Sequence, residues 1–522
     1  MTEEERRTGT TTRRETDVGR CPRPLARRIR IGLGLGLGVV LGLGGVVGCA
    51  SRSPHAQDFV EVRTEHFLVT SSLDAEDTGE LARSLEFFDA GVRSLLQLDR
   101  EGEAAPTPVY FFDDRSLGRP FAVQNQAAYL VDAVEAPILV FRGGRDFAAR
   151  ATPELRASYA RRILRDAARS ERPLWYEEGM AQMASSMLET PEGVEVGRFI
   201  PEYRRSVLDW RGDSIQSALG RDDLADASKP ERERFAARAW AIVHTLEFGR
   251  RPPGGASTRL VAYQQALDSP DPGTRDRAFS AIGLSPEALS KQVYAHLELA
   301  RARSRLLRAR GYVEEKVAPT SLPAAEGRAR LARLALRLAR WKLAHEYFVR
   351  ALHDDAGHVS ARLGLAETQA RMGEPAEAEQ TLGALPLPRE PDAGLACEAA
   401  DAHRALAAAT DSASRRRSEV ARARGLYERA LADPALGARA AFGLAQLALE
   451  VPGEDVAEAE RWIDVARSKR GGSLALDRAL AVVESRTGAV RSARIRARHV
   501  ITRSPDALER EAARALLESL DD

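Results

Sequence analysis

The stretch "ASYARRILRDAARSERPLWYEEGMAQ", Ala157 to Gln182, holds two helical patterns with a break at Arg172-Pro173. The first starts upstream in "ATPEL", with Thr152 as N-cap, Pro153 at the first helical position and Glu154 in the first turn. Leu155, Tyr159, Ile163 and Ala167 recur at helical spacing and form its buried face. The second helix runs through "RPLWYEEGMAQM", with Pro173 near its start.

Ahead of this pair the sequence reads as strands. "FVEVRTEHFLVTSS", Phe59 to Ser72, alternates apolar and polar residues through Val60, Val62, Phe67 and Val69. The spacing then turns helical over Asp77 to Leu98, with Leu81, Leu85, Phe88, Val92 and Leu95 on one stripe. "TPVYFFDD" predicts another strand, and "AAYLVD" and "APILVFRG" two more, joined by a turn around Glu135. "RFAARAWAIVHTLEFG", Arg234 to Gly249, is a later helix. Strands first and helices after argue for an α+β domain over residues 58–300.

"PLWYEEGMA", Pro173 to Ala181, resembles the P-x-W-x-x-E-G-x-A segment of the gluzincin metallopeptidases, and most closely a bacterial family of peptidase-MA-like domains. The order of elements from Phe59 to Gly249 is similar to that family too. The resemblance implies a zincin-like, α+β metallopeptidase-like fold. In active members, H-E-x-x-H puts two His on one helical face for zinc, and its Glu takes a proton from the bound water. A Glu on the next helix is the third ligand, and here it matches Glu178, beside Trp175 and Gly179 of the motif. The first His falls on Ala157, the catalytic Glu on Ser158 and the second His on Arg161. No His occurs between His66 and His244. Two ligands and the general base are therefore missing, and the implied domain is a metal-free pseudoenzyme with no cofactor. Glu178 then has two possible settings. Arg161 faces it in a bidentate fork in place of the metal's charge, or Arg161, Arg162 and Arg165 form a solvated helix face and Glu178 meets water. Trp175 reads as core. His66 reads as half-exposed on its strand and His244 as a helix-face residue, neither with a partner at ligand spacing.

"APTSLPAAEG", Ala318 to Gly327, is Pro-rich and places a linker over 301–324. From residue 325 to 522 the chain is rich in Ala, Leu, Arg and Glu with a period near 34, the length of a tetratricopeptide (TPR) repeat. Leu331, Ala332, Ala344, Phe348 and Ala351 mark one repeat; Ala366, Gly373 and Ala378 a second; Ala423, Tyr427 and Ala430 a third. Leu444, Ala459 and Ile463 mark a fourth, Gly488 and Ala493 a fifth, and "DALEREAARALLESL" reads as a capping helix. The small residues let paired helices approach closely. The expected architecture is the α+β domain followed by an all-α TPR-type solenoid with a groove for a protein or peptide.

The N-terminus reads as a targeting segment. Residues 1–48 are a polar leader followed by "LARRIR" and the uncharged apolar run Ile31 to Gly48. That run ends in "VVGC", which resembles a bacterial lipoprotein box with Cys49 as the acylated residue. Residues 49–57 would be the tether. An uncleaved membrane anchor is the other reading. Ala50 rather than Asp follows Cys49, which points to the outer membrane, on its periplasmic or surface side. Net charge is +1 over 522 residues, so no global field draws nucleic acid. The cysteines, Cys21, Cys49 and Cys397, build no disulfide framework. "ASSM" around Ser185 lacks the glycines of a nucleophile elbow. The functional expectation is a lipid-anchored, non-enzymatic scaffold. The alternative is an active peptidase of the gluzincin type, zinc-dependent or with an unconventional site.

Overall fold

In a computed structural model, the described residues are 58–98, 105–113, 115–123, 126–142, 153–167, 171–190, 192–210, 214–250, 258–267, 278–307, 318–383, 390–471 and 473–521. Cys21, Cys49, the leader and tether, and the N-cap Thr152 lie outside them. No helix among the described residues is long and apolar enough to cross a membrane.

The α+β region begins with β1 (Val60–Arg63), β2 (Phe67–Ser71), α1 (Ala75–Leu96), β3 (Thr107–Phe112), α2 (Arg115–Gly118), β4 (Ala128–Val131) and β5 (Ile138–Arg142). Then follow α3 (Pro153–Asp166), α4 (Leu174–Ser185), β6 (Leu188–Thr190), β7 (Gly193–Val196), α5 (Pro201–Asp209), α6 (Ile215–Leu219) and α7 (Lys229–Phe248). It closes with α8 (Arg259–Leu267), α9 (Pro286–Leu297), β8 (Arg305–Leu307) and β9 (Thr320–Ser321). Six strands form one mixed sheet in the order β4-β5-β3-β2-β1-β9. β2, β3 and β5 are parallel neighbours and the outer pairings are antiparallel.

Three local expectations change. The first strand is two strands, and His66 sits in the bend between them rather than on a strand. The burial parity shows why: Val62 and Phe67 are both at 0% exposure although five positions apart, so the chain must turn between them. On α3, Leu155, Tyr159 and Ile163 are buried, but Ala167 lies past the last helical turn and is exposed. The stretch expected to be a linker supplies β8, bonded to β7, and β9, bonded to β1.

The repeats follow as helical pairs: α10 (Ala324–Arg337) with α11 (Trp341–Asp354), and α12 (Val359–Arg371) with α13 (Pro375–Gly383). Next come α14 (Ala393–Ala409) with α15 (Ala413–Ala430), α16 (Gly437–Glu450) with α17 (Val456–Lys469), and α18 (Leu474–Arg486) with α19 (Val490–Arg503). The final helix is α20 (Ala507–Ser519). Gly364 abuts the Phe348 ring and Gly443 the Tyr427 ring, so these two glycines admit an aromatic from the preceding pair. Positive φ occurs in the turns of three pairs, at Ala339 (φ 53°), Gly373 and Gly488, where glycine adopts it without strain. Cys397 is fully buried in α14, where burial pushes its thiol up to about 12.

The sheet is covered on both faces. Leu139 and Phe141 of β5 pack with α1 and α3, while Ile138 and Val140 pack with Ala329, Ala332 and Phe348 of the first helical pair. The first repeat is thus a layer of the α+β core, and the array is joined to the domain through shared apolar packing.

Candidate functional site

α3 and α4 bring the residues of the opening stretch together. Arg161 Nη2 donates to both oxygens of Glu178, at 2.8 and 2.9 Å, and its Nε donates to Oε2 at 3.1 Å. Glu178 Oε1 also accepts from the Gln182 amide one turn on, at 2.8 Å, and the Tyr203 hydroxyl donates to Gln182 Oε1 at 3.0 Å. Arg161 and Glu178 retain side-chain exposures of 17% and 15%, so water still reaches the pair. Burial opposes the Arg161 charge, and the Glu178 carboxylate outweighs it, raising the guanidinium above its ordinary value. For Tyr203, burial and then the Glu178 charge hold the phenol protonated.

The neighbouring arginines are not a solvated face. Arg162 is 1% exposed and donates to Asp132, to both oxygens of Asp166 (2.9 and 3.0 Å) and to the carbonyls of Ala133 (2.8 Å) and Val134 (3.3 Å). Arg165 Nε meets Glu177 Oε1 at 2.6 Å, and Arg503, 326 residues further along, meets Glu177 Oε2 at 2.6 Å. Burial opposes the Glu177 charge, but Arg165 and Arg503 hold its carboxyl down at about 2. Ala157 is at 0% exposure, and Ser158 Oγ donates back to the Glu154 carbonyl at 2.7 Å. Trp175 is core: 2% exposed, its ring 5.1 Å from Tyr263 and 6.0 Å from Tyr176. Gly179 lies where α4 crosses α7, and an added Cβ would run into the Ala239 carbonyl and sit 2.5 Å from Val243 Cγ2.

Arg503 carries no signal in the sequence, because nothing local links it to α4. Gln182 carried a signal, its spacing of four from Glu178 on one helix face. So did Glu86 and Asp89, three apart on α1. His66 Nδ1 lies 2.7 Å from Glu86 Oε2 and 3.8 Å from Asp89 Oδ2, and the three ligand-type atoms fall within 4.8 Å of one another. Arg93 Nε donates to Asp89 Oδ2 at 2.6 Å and the Tyr159 hydroxyl to Oδ1 at 2.8 Å. Burial opposes a charged His66; the Glu86 hydrogen bond and the Asp89 charge outweigh it and raise its pKa. Among the described residues the two carboxylates are thus already partnered by His66, Arg93 and Tyr159.

His244 is fully buried and paired. Its Nε2 lies 2.9 Å from the Gly197 carbonyl and its Nδ1 2.8 Å from His296 Nε2. The carbonyl requires the proton on Nε2, so His296 donates to Nδ1. Burial pushes both imidazoles down to about 4. Their folded values lie below the unfolded 6.5, so the unfolded chain takes up protons first. The stabilisation is complete above pH 6.5 and is lost as pH falls toward 4. In urea unfolding across that window, His244→Gln is expected to flatten the pH dependence; an unchanged slope would contradict the assignment.

Comparison with known proteins bears on the repeats. The tetratricopeptide repeat family model matches residues 335–396. Among solved structures, a thermophilic TPR protein of Thermus thermophilus is 22% identical, with 37% of this chain and 99% of that chain covered, at a TM-score of 0.31. No curated protein matches the chain. The stacked helical pairs after the α+β region are tetratricopeptide repeats over residues 335–396, and such repeats imply protein partners.

Proposed function

We propose that the chain is a non-enzymatic protein-binding scaffold, in which a degenerate peptidase-like domain is fused to a TPR array and held at the bacterial envelope by an acylated Cys49. The observation that carries the reading is the Arg161 fork on Glu178. The resemblance would put zinc there, but the donor set does not fit it. Ala157, Ser158 and Arg161 stand at the positions of two ligands and a base, and a guanidinium has no lone pair to give a metal. A carboxylate withdrawn from water needs a cation, and Arg161 provides one without metal. The repeats supply the binding function, toward a protein or peptide.

Two assays test this. Purified chain incubated with casein and with unstructured peptides is expected to show no turnover that a chelator removes. Chelator-sensitive cleavage abolished by Glu178→Gln would favour the alternative, an active peptidase. For the anchor, metabolic labelling with a fatty acid in a bacterial host is expected to label the chain and to fail in Cys49→Ser. Equal labelling of both would rule out acylation at Cys49.

A further inference from the structure

The turn between β4 and β5 is seated in the repeat array. Val134 is 1% exposed and packs with Ala438, Ala441, Ala475 and Leu476 of α16 and α18. Glu135 Oε1 accepts from Arg337 of α10 at 2.7 Å and lies 3.9 Å from Arg439 of α16. Asp132 Oδ2 accepts from the Leu474 N–H at the start of α18 at 2.9 Å. The Asp132 N–H donates to Asp506, the N-cap of α20, at 2.8 Å. All four helices, α10, α16, α18 and α20, belong to one face of the array, formed by the first helix of each pair and the cap. A cavity of about 340 Å³ remains between the turn and that face.

The way the turn is held is that of a recognised ligand. An apolar plug is flanked by two carboxylates, and each carboxylate meets a donor from a different helix. Desolvated charges of this kind are costly unless matched, so they discriminate between occupants. The turn is also pre-shaped, since Arg162 grips Asp132 and the carbonyls of Ala133 and Val134 from the domain side. The other arginines around the cavity are paired within the array, Arg333 with Glu398, Arg371 with Glu367 and Arg404 with Glu450, and Arg439 donates to Asp401 of the array at 2.8 Å, so Arg337 is the cation that hydrogen-bonds the turn.

We propose that this face of the array recognises an acidic turn of the form carboxylate–small residue–valine–carboxylate, and that Asp132–Glu135 is its resident ligand, which closes the groove to any partner lacking that chemistry. This rests on reading the repeats as a protein-binding array. Tethering gives the resident turn an effective concentration on the order of millimolar or above. A free segment with equal contacts therefore does not displace it, and the groove opens only when the resident contacts are weakened.

The test uses the full chain and a synthetic hairpin peptide with the sequence of residues 128–139. The native chain is expected to bind it at least tenfold more weakly than a variant carrying Val134→Asp and Glu135→Arg. Adding to that variant Arg337→Glu, which removes the arginine that hydrogen-bonds Glu135, is expected to abolish binding. Equal binding by native chain and variant, or binding indifferent to Arg337→Glu, would overturn the proposal. If the variant does not fold, a double-mutant cycle decides. Glu135→Gln and Arg337→Gln should each speed amide exchange in residues 131–136, with no further gain in the double variant; additive effects overturn the proposal. If the array binds no external protein, peptide capture by the variant still holds. If instead the groove reading is wrong, an external partner's binding is unchanged by Arg337→Glu.

Discussion

Arg162→Ala is expected to destabilise the chain by about 3–5 kcal/mol, the cost of removing one partner from a buried ion pair. Arg162 is among the largest fully buried side chains, and it ties α3 to the β4–β5 turn through Asp132, Asp166 and two carbonyls. Its loss strands the Asp132 carboxylate and leaves the Ala133 and Val134 carbonyls without their donor. The same turn is seated in the repeats, so the damage should reach the array. Urea unfolding measures the size of the effect, and hydrogen exchange at residues 131–136 locates it. A change below about 1 kcal/mol would place Arg162 in the range of a solvated surface pair.

Gly179→Ala offers a test of sign. In an open helix, alanine is better than glycine by about 1 kcal/mol, so the change would stabilise. Here the new methyl meets the Ala239 carbonyl and Val243 of α7. A backbone carbonyl cannot rotate away as a side-chain end can, so α4 and α7 must separate. Overpacking of this kind costs about 1–3 kcal/mol. Destabilisation, read from urea unfolding, is the expected outcome; stabilisation would show that the two helices do not touch at Gly179. Glycine in the Trp-x-x-Glu-Gly segment thus has a packing reason that needs no catalysis.

"PILVF", Pro137 to Phe141, is apolar at every position, and a strand of that kind is covered on both faces. The pattern was legible, but the source of the second cover was not. It comes from α10 and α11, beyond a Pro-rich stretch that reads as a boundary between domains. The strand-to-helix switch at Asp77, the helix pair around Pro173 and the repeat period rest on local spacing, and the structure has elements there. The turn at His66 was hidden because Val60, Val62, Phe67 and Val69 look like one alternation until parity is counted. Around α4, the pairing of Arg161 with Glu178 was anticipated from the family resemblance, which sets both residues at positions of one metal's ligands. Arg503 on Glu177 and His296 on His244 join elements 326 and 52 residues apart, and no spacing rule reaches that far.

The central claim, that Arg161 provides the positive charge beside Glu178 in place of a metal, is tested most directly by equilibrium dialysis of the purified chain against zinc. The expected result is no stoichiometric zinc at micromolar free metal, with Glu178→Gln behaving as the parent chain does. One bound equivalent that disappears in Glu178→Gln would contradict it.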